Sequence, residues 1–309
     1  MTATDITKEY PMRVFVTGAS GWIGSAVVPE LLAAGHHVVG LARSDESAAR
    51  IVAAGAEPHA GSLDDLESLR SAAAAADAVI HLGFKHDFSD MPGAWATERA
   101  VVQTFLDTLE GSDRPFLLAS GTAGLAPGSV VTERVPSLAS GPGSPRGGGE
   151  NLALDYATRG VRSVALRFAP TVHGEGDHGF VATLAGIART QGVAGYVGDG
   201  SNLWPAVHRR DAARLVALAL DSAPAGTVVH AIGEEGVPTR AIAEALGRGL
   251  GVPAASIAPD DVDAHFGWIG RFFALDIPSS SALTRELLGW EPREQGILAD
   301  IEAGYYTGA

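Results

Sequence analysis

Apolar positions in the first half of the chain fall into short β-branched runs separated by Ala/Leu/Glu-rich stretches with helical spacing. The runs RVFVTG (13–18), HHVVGLAR (36–43), AVIHLGF (78–84), PFLLASG (115–121) and SVALRFAP (163–170) predict strands. Their alternation with helical segments predicts a doubly wound α/β fold, a parallel sheet with helices on both faces. The helix after the first strand would turn Ile23, Val27, Val28 and Leu31 inward. From Val172 the pattern loosens. It resumes with AARLVALAL (212–220) and TVVHAIG (227–233) and closes with the helical TRAIAEALGRGLG (239–251).

This distribution predicts a dinucleotide-binding domain from 12–170 plus 205–233 and a smaller, C-terminal substrate lobe from 171–204 plus 234–309. Residues 1–11 have neither the basic start nor the apolar stretch of a secretory leader and are expected to be a tail. Apolar tracts such as SAAAAADAVIHLGF (71–84), broken by Asp77, fall short of the roughly 18 to 20 uninterrupted residues of a membrane span, so none is expected.

The most informative segment is RVFVTGASGWIGSAVVPELLAAG, where an apolar strand runs into Gly18, Gly21 and Gly24 and then into a helix. Such spacing lets the backbone turn sharply, approach a pyrophosphate and pack helix on strand, with the helix N-terminus facing the phosphates. Gly18, Ser20, Gly21, Trp22, Ile23 and Gly24 are therefore expected to bind a dinucleotide. A free 2′-hydroxyl usually meets an acid at the end of the second strand, about 20 residues beyond the glycines. This chain offers Arg43 and Ser44 there, a guanidinium fork beside a hydroxyl, which favours NADP(H) over NAD(H). The alternative is a solvated Arg43 with Asp45 or Glu46 on the ribose.

Composition narrows the partners. Acidic residues outnumber basic ones 36 to 22, for a net charge of −14, and no basic stripe with interleaved aromatics occurs, so nucleic acid is not expected. The chain has no cysteine, which excludes disulfides, thiolate metal sites and a cysteine nucleophile. Nothing demands an oxidising compartment, and the cytoplasm is the expected location. A small molecule is the expected partner, and a homodimer stays open.

The chain resembles the extended and atypical short-chain dehydrogenase/reductases, of the epimerase/dehydratase-like branch. The resemblance rests on TGASGWIG, GSLDD (61–65), VIHLGF, ASGTAG (119–124), RFAPTVHG (167–174), WPAVHRRDAARL (204–215) and TRELLGWEP (284–292), in that order along nearly the whole chain. It implies that Ser62 and Leu63 flank the adenine, that Leu82, Gly83, Phe84 and Ala119 line the cofactor, and that Pro170, Thr171 and Val172 lie by the nicotinamide. The family's chemistry uses a Ser or Thr after the fifth strand, a Tyr acid/base, and a Lys four residues later that lowers the Tyr pKa. Ser120 and Thr122 supply the hydroxyls here.

The Tyr-x-x-x-Lys pair is absent, because the only lysines are Lys8 and Lys85 and neither follows a tyrosine by four. Matching Glu150 to the family's glutamate eight residues beyond the tyrosine puts Pro142 at the tyrosine position and Arg146 at the lysine position. Both lie in GPGSPRGGGE (141–150), which composition alone would read as a linker. Arg146 keeps a donor fork for the nicotinamide ribose, whereas Pro142 has no proton to give. His86, His173 and His178, expected in loops after strand ends, are candidate acids and substrate contacts, Tyr196 in the later lobe is a further candidate acid, and Trp204 is a candidate substrate wall or buried aromatic. HGEGDHG (173–179) reads as a substrate loop, and no metal site is expected. Asp211 is expected to order its helix.

A reductase of a small organic carbonyl, with an imine also permitted, is the leading function. The alternatives are a nucleotide-sugar epimerase or dehydratase and a non-catalytic NADP(H) sensor.

Overall fold

The structure, a computed structural model, describes residues 11–86 and 90–308. All but the last residue of the expected tail lies outside them. In chain order the first part comprises β1 (Arg13–Thr17), α1 (Gly24–Ala33), β2 (His37–Ala42), α2 (Asp45–Ala53), β3 (Glu57–Ala60), α3 (Leu66–Ala74), β4 (Ala78–His81), α4 (Met91–Leu109), β5 (Pro115–Gly121), α5 (Gly149–Asp155) and β6 (Arg162–Phe168). There follow β7 (Thr171–His173), α6 (Phe180–Gln191), β8 (Ala194–Val197), β9 (Leu203–His208), α7 (Arg209–Ser222), β10 (Thr227–Ala231), β11 (Glu234–Pro238), α8 (Thr239–Leu250), β12 (Ala254–Ile257), α9 (Val262–Phe266), α10 (Gly270–Phe273), α11 (Ala282–Leu288) and α12 (Ile297–Glu302).

Seven strands form a parallel sheet in the order β10-β6-β5-β4-β1-β2-β3. The chain winds outward from β1 through β2 to β3, then returns to β4 on the other side of β1. Ligands of open α/β sheets bind at such a reversal, where adjacent loops diverge. Each strand expected from an apolar run is present. The short β3 has no such run: Glu57, Pro58 and Ala60 are exposed at the sheet edge, where a proline is tolerated.

The residues group into two compact units, Met1–Leu118 with Gly141–Val164 and Ala217–Gly226, and Ala119–Ser140 with Ala165–Val216 and Thr227–Ala309. The first is built on Phe15, Val79, Val101, Phe105, Phe116 and Tyr156. Phe105 stands between Phe15 and Phe116, with ring centroids at 6.1 and 5.9 Å. The second has a core around Trp204, Phe266, Phe273 and Ile297, a three-stranded sheet in the order β11-β9-β7 and a β12-β8 pair. No helix among the described residues is long and apolar enough to cross a membrane.

Candidate functional site

In the first unit, β1 ends at Thr17 and the chain turns through Gly18 in the left-handed region, at φ +69°. A Cβ on Gly18 would lie 2.8 Å from the Gly83 amide nitrogen, and one on Gly24 would lie 2.1 Å from the Gly18 carbonyl oxygen. The two loops at the β1/β4 reversal therefore meet backbone to backbone at Gly18 and Gly83, and helix α1 seats directly on the turn. Helix α1 opens at Ile23 without a side-chain cap. A dinucleotide fits this arrangement: an uncapped helix end next to side-chain-free backbone is what a pyrophosphate needs. Ser20, Trp22 and Ile23 lie on the same turn, each half-buried, and Val27, Val28 and Leu31 are buried beneath it.

At the end of β2, Arg43 is exposed, with no hydrogen bond or ion pair among the described residues. Ser44 is the N-cap of α2, its hydroxyl accepting from the Ser47 amide at 3.2 Å. Glu46 pairs with Arg50 on the same helix. Beyond β3, the Ser62 hydroxyl accepts from the Asp64 amide at 3.2 Å, and Asp64 pairs with Lys85 of the loop after β4. Leu63 and Leu82 are half-buried.

GPGSPRGGGE folds onto α4. Arg146, Gly147 and Gly148 take three successive left-handed conformations, with φ +51°, +61° and +63°. A Cβ on Gly147 would come within 2.5 Å of the Trp95 carbonyl oxygen, so only glycine lets this backbone lie so close to the helix. The Arg99 guanidinium donates to the Gly147 carbonyl at 3.3 Å. Gly147 to Glu150 are buried, and Pro142 is exposed. The segment is anchored to α4.

That anchoring delivers Arg146 to a buried chain of polar groups that the sequence reading did not anticipate. Its Nη2 donates to Glu98 Oε1 at 3.0 Å, and its guanidinium carbon lies 4.4 Å from the centroid of the Phe84 ring. Glu98, 2% exposed on α4, has its Oε2 3.3 Å from His81 Nε2. His81 Nδ1 lies 2.6 Å from Thr17 Oγ1, which accepts the Gly83 amide at 3.0 Å. Burial pushes the Glu98 carboxyl up, but Arg146 and His81 outweigh it and hold the pKa below the usual carboxylate range. His86 stacks edge-on to Phe84 at 5.2 Å, and desolvation, then the Arg146 charge, lower its pKa.

In the second unit, Ala119 is buried and Ser120 half-buried. Thr122 is fully buried. Its amide donates to the Phe168 carbonyl at 3.2 Å, and its hydroxyl has no hydrogen-bond partner among the described residues. Thr171 is likewise buried with an unpartnered hydroxyl, between half-buried Pro170 and Val172. His178 is exposed in the loop after β7.

His173 does not lie in that loop. It closes β7 at 1% exposure, with its Nδ1 2.5 Å from Asp300 Oδ2 and its ring edge-on to His208 at 5.4 Å. Burial, then His173, lowers the His208 pKa. Burial also raises that of Asp177, which accepts from the Tyr306 hydroxyl at 2.9 Å. Trp204 is a core residue, fully buried with Phe180, Phe272 and Phe273 at 5.1 to 5.8 Å, because β9 carries it into the aromatic cluster. Asp211, buried at the start of α7, accepts from the amides of Arg293 and Glu294 at 2.8 and 3.0 Å and pairs with Arg214. It ties the C-terminal segment down.

Comparison with known proteins places this geometry. The profile of the NAD dependent epimerase/dehydratase family matches residues 14–232. An uncharacterized protein of Schizosaccharomyces pombe is 43% identical over 295 residues, covering 96% of this chain and all of its own. The 2-alkyl-3-oxoalkanoate reductase of Stenotrophomonas maltophilia is 29% identical over 269 residues, covering 78% of this chain and 77% of its own. Among solved structures, the dTDP-glucose 4,6-dehydratase DesIV of Streptomyces venezuelae, with NAD and TYD bound, superposes with a TM-score of 0.76 over 95% of this chain and 96% of its own. At 21% identity that likeness speaks for the fold.

Proposed function

The chain belongs to the NAD-dependent epimerase/dehydratase family, and on that premise we propose that it is an NADP(H)-dependent reductase of a small organic carbonyl, an imine also being permitted, acting in the cytoplasm. Residues 12–170 and 205–233 serve the cofactor, and 171–204 and 234–309 the substrate. The observation that carries the cofactor choice is Arg43, exposed and unpaired among the described residues at the end of β2, where an acidic residue would serve a free 2′-hydroxyl. The glycine turn receives the pyrophosphate, and Ser62 and Leu63 flank the adenine.

The cofactor, when bound, supplies hydride to an electrophilic carbon. Arg146 holds the nicotinamide ribose through its guanidinium edge, and Phe84 backs its face. Ser120, half-buried, orients the carbonyl oxygen, whereas Thr122 has no exposed surface to offer it. Reduction builds charge on that oxygen and needs a proton from a side chain or water, for which His86 and His178 are candidates, the lowered pKa of His86 confining its donating form to acidic pH. A protonated imine arrives with its proton and needs no donor.

Reduction is favoured over nucleotide-sugar epimerisation or dehydration because the tyrosine those reactions rely on is replaced by exposed Pro142. The name of the Stenotrophomonas relative points the same way. The test is NADPH oxidation across aldehydes, ketones and imines. Turnover of at least one is expected. Cofactor binding with no turnover favours a sensing protein, and tight nucleotide-sugar binding the epimerase alternative.

A further inference from the structure

We infer that Glu98, His81 and Thr17 form a positioning relay that couples Arg146 to the cofactor turn at Gly18 and Gly83, an inference that rests on the NADP(H) reading. The acceptor-only member of the relay sets the direction of the two hydrogen bonds it receives. Glu98, held ionised by its neighbours, accepts at both oxygens, so Arg146 and His81 must both donate to it. With His81 taken as a neutral imidazole protonated on Nε2, Nδ1 accepts from the Thr17 hydroxyl; an imidazolium would instead donate from both ring nitrogens. The Thr17 oxygen is left to accept the Gly83 amide. Each buried group is satisfied in a single sense from Arg146 to the backbone that meets Gly18.

Two features show that this order is imposed. Arg146 sits in a left-handed conformation unfavourable to any side chain, and its neighbours hold it there. Glu98 is buried, so its charge is tolerable only with a cation and a second donor in place. Because the carboxylate neutralises the guanidinium, Arg146 meets the ribose as an oriented set of N–H donors. The same carboxylate fixes which edge is free.

Glu98→Gln tests the relay, since an amide has one donor and one acceptor and cannot receive from both neighbours. With its oxygen on Arg146, its NH2 faces His81 and drives the imidazole to the Nδ1–H tautomer. Three variants, Glu98→Gln, Arg146→Ala and the double change, are compared for NADPH dissociation constant and for the His81 ring 15N shifts. The expected result is a cooperatively folded Glu98→Gln protein with NADPH bound about ten-fold more weakly, a reversed His81 tautomer and a double variant within about two-fold of Arg146→Ala. Unchanged NADPH affinity and tautomer in Glu98→Gln, or effects that multiply in the double variant, overturn the relay. If Glu98→Gln fails to fold, Thr17→Val reads it from the other end, with several-fold weaker NADPH binding expected and unchanged binding overturning it. Should the wild type bind no NADPH, the cofactor reading falls by itself, and the His81 tautomer alone decides whether the relay stands.

Discussion

Gly24→Ala sets two effects of opposite sign against each other. Gly24 is the first residue of α1, and alanine within a helix is favoured over glycine by about 1 kcal/mol. The added methyl, however, would stand 2.1 Å from the Gly18 carbonyl oxygen, 2.8 Å from its carbon and 2.9 Å from the Ala19 Cα. All three are backbone atoms at a turn already pressed against Gly83, so relief requires moving the helix off the turn by about 1 Å. Overpacking of this kind costs about 1–3 kcal/mol and more where nothing can give. At 2.1 Å from a backbone oxygen the upper end of that cost applies, so the clash wins with a net loss of about 2 kcal/mol, and NADPH affinity falls ten-fold or more as the backbone proposed to receive the pyrophosphate shifts. Urea unfolding and a fluorescence titration with NADPH read both numbers. A variant stabilised by about 1 kcal/mol with unchanged NADPH affinity would refute the packing argument and the role of this turn.

Two further outcomes follow from the buried groups. Trp204→Ala should cost about 3–5 kcal/mol in urea unfolding while leaving the KM for carbonyl substrate unchanged. A KM effect without loss of stability would return Trp204 to the substrate wall. Glu98 has a lowered folded-state pKa, so its contribution is present above the unfolded value near 4.5 and is lost as pH falls below it. The acid limb of thermal stability should be shallower in Glu98→Gln than in wild type, and parallel limbs would contradict the buried ion pair.

Much of the sheet was legible because its central strands are continuous apolar runs, buried on both faces. The edge strand β3 was not, since half of its length is Glu57 and Pro58. The glycine turn could be read from spacing alone, whereas Arg146 needed the family's pattern and its environment needed the fold. A signal for Glu98 did exist: Ala94, Glu98, Val101, Val102 and Phe105 share the buried face of α4, so an acid at that spacing marks a paired charge. His81, a lone polar residue inside AVIHLGF, is the same kind of signal in a strand. His173 was misplaced because its partner Asp300 is 127 residues away, a distance no local pattern encodes. By composition alone GPGSPRGGGE reads as a linker, because glycine serves flexible chain and close backbone approach equally well; the family's pattern argued against that, and the contact with Trp95 shows the close approach.

The central claim is the NADP(H) site, and the most direct test compares NADPH and NADH dissociation constants on the wild-type protein at fixed ionic strength. A hydrogen-bonded charge pair between Arg43 and the 2′-phosphate contributes about 1.5–3 kcal/mol, and the exposure of Arg43 places it at the lower end. NADPH should therefore bind at least about ten-fold more tightly than NADH, with the ratio collapsing in Arg43→Ala. NADH bound as tightly as NADPH, or more so, would contradict the account.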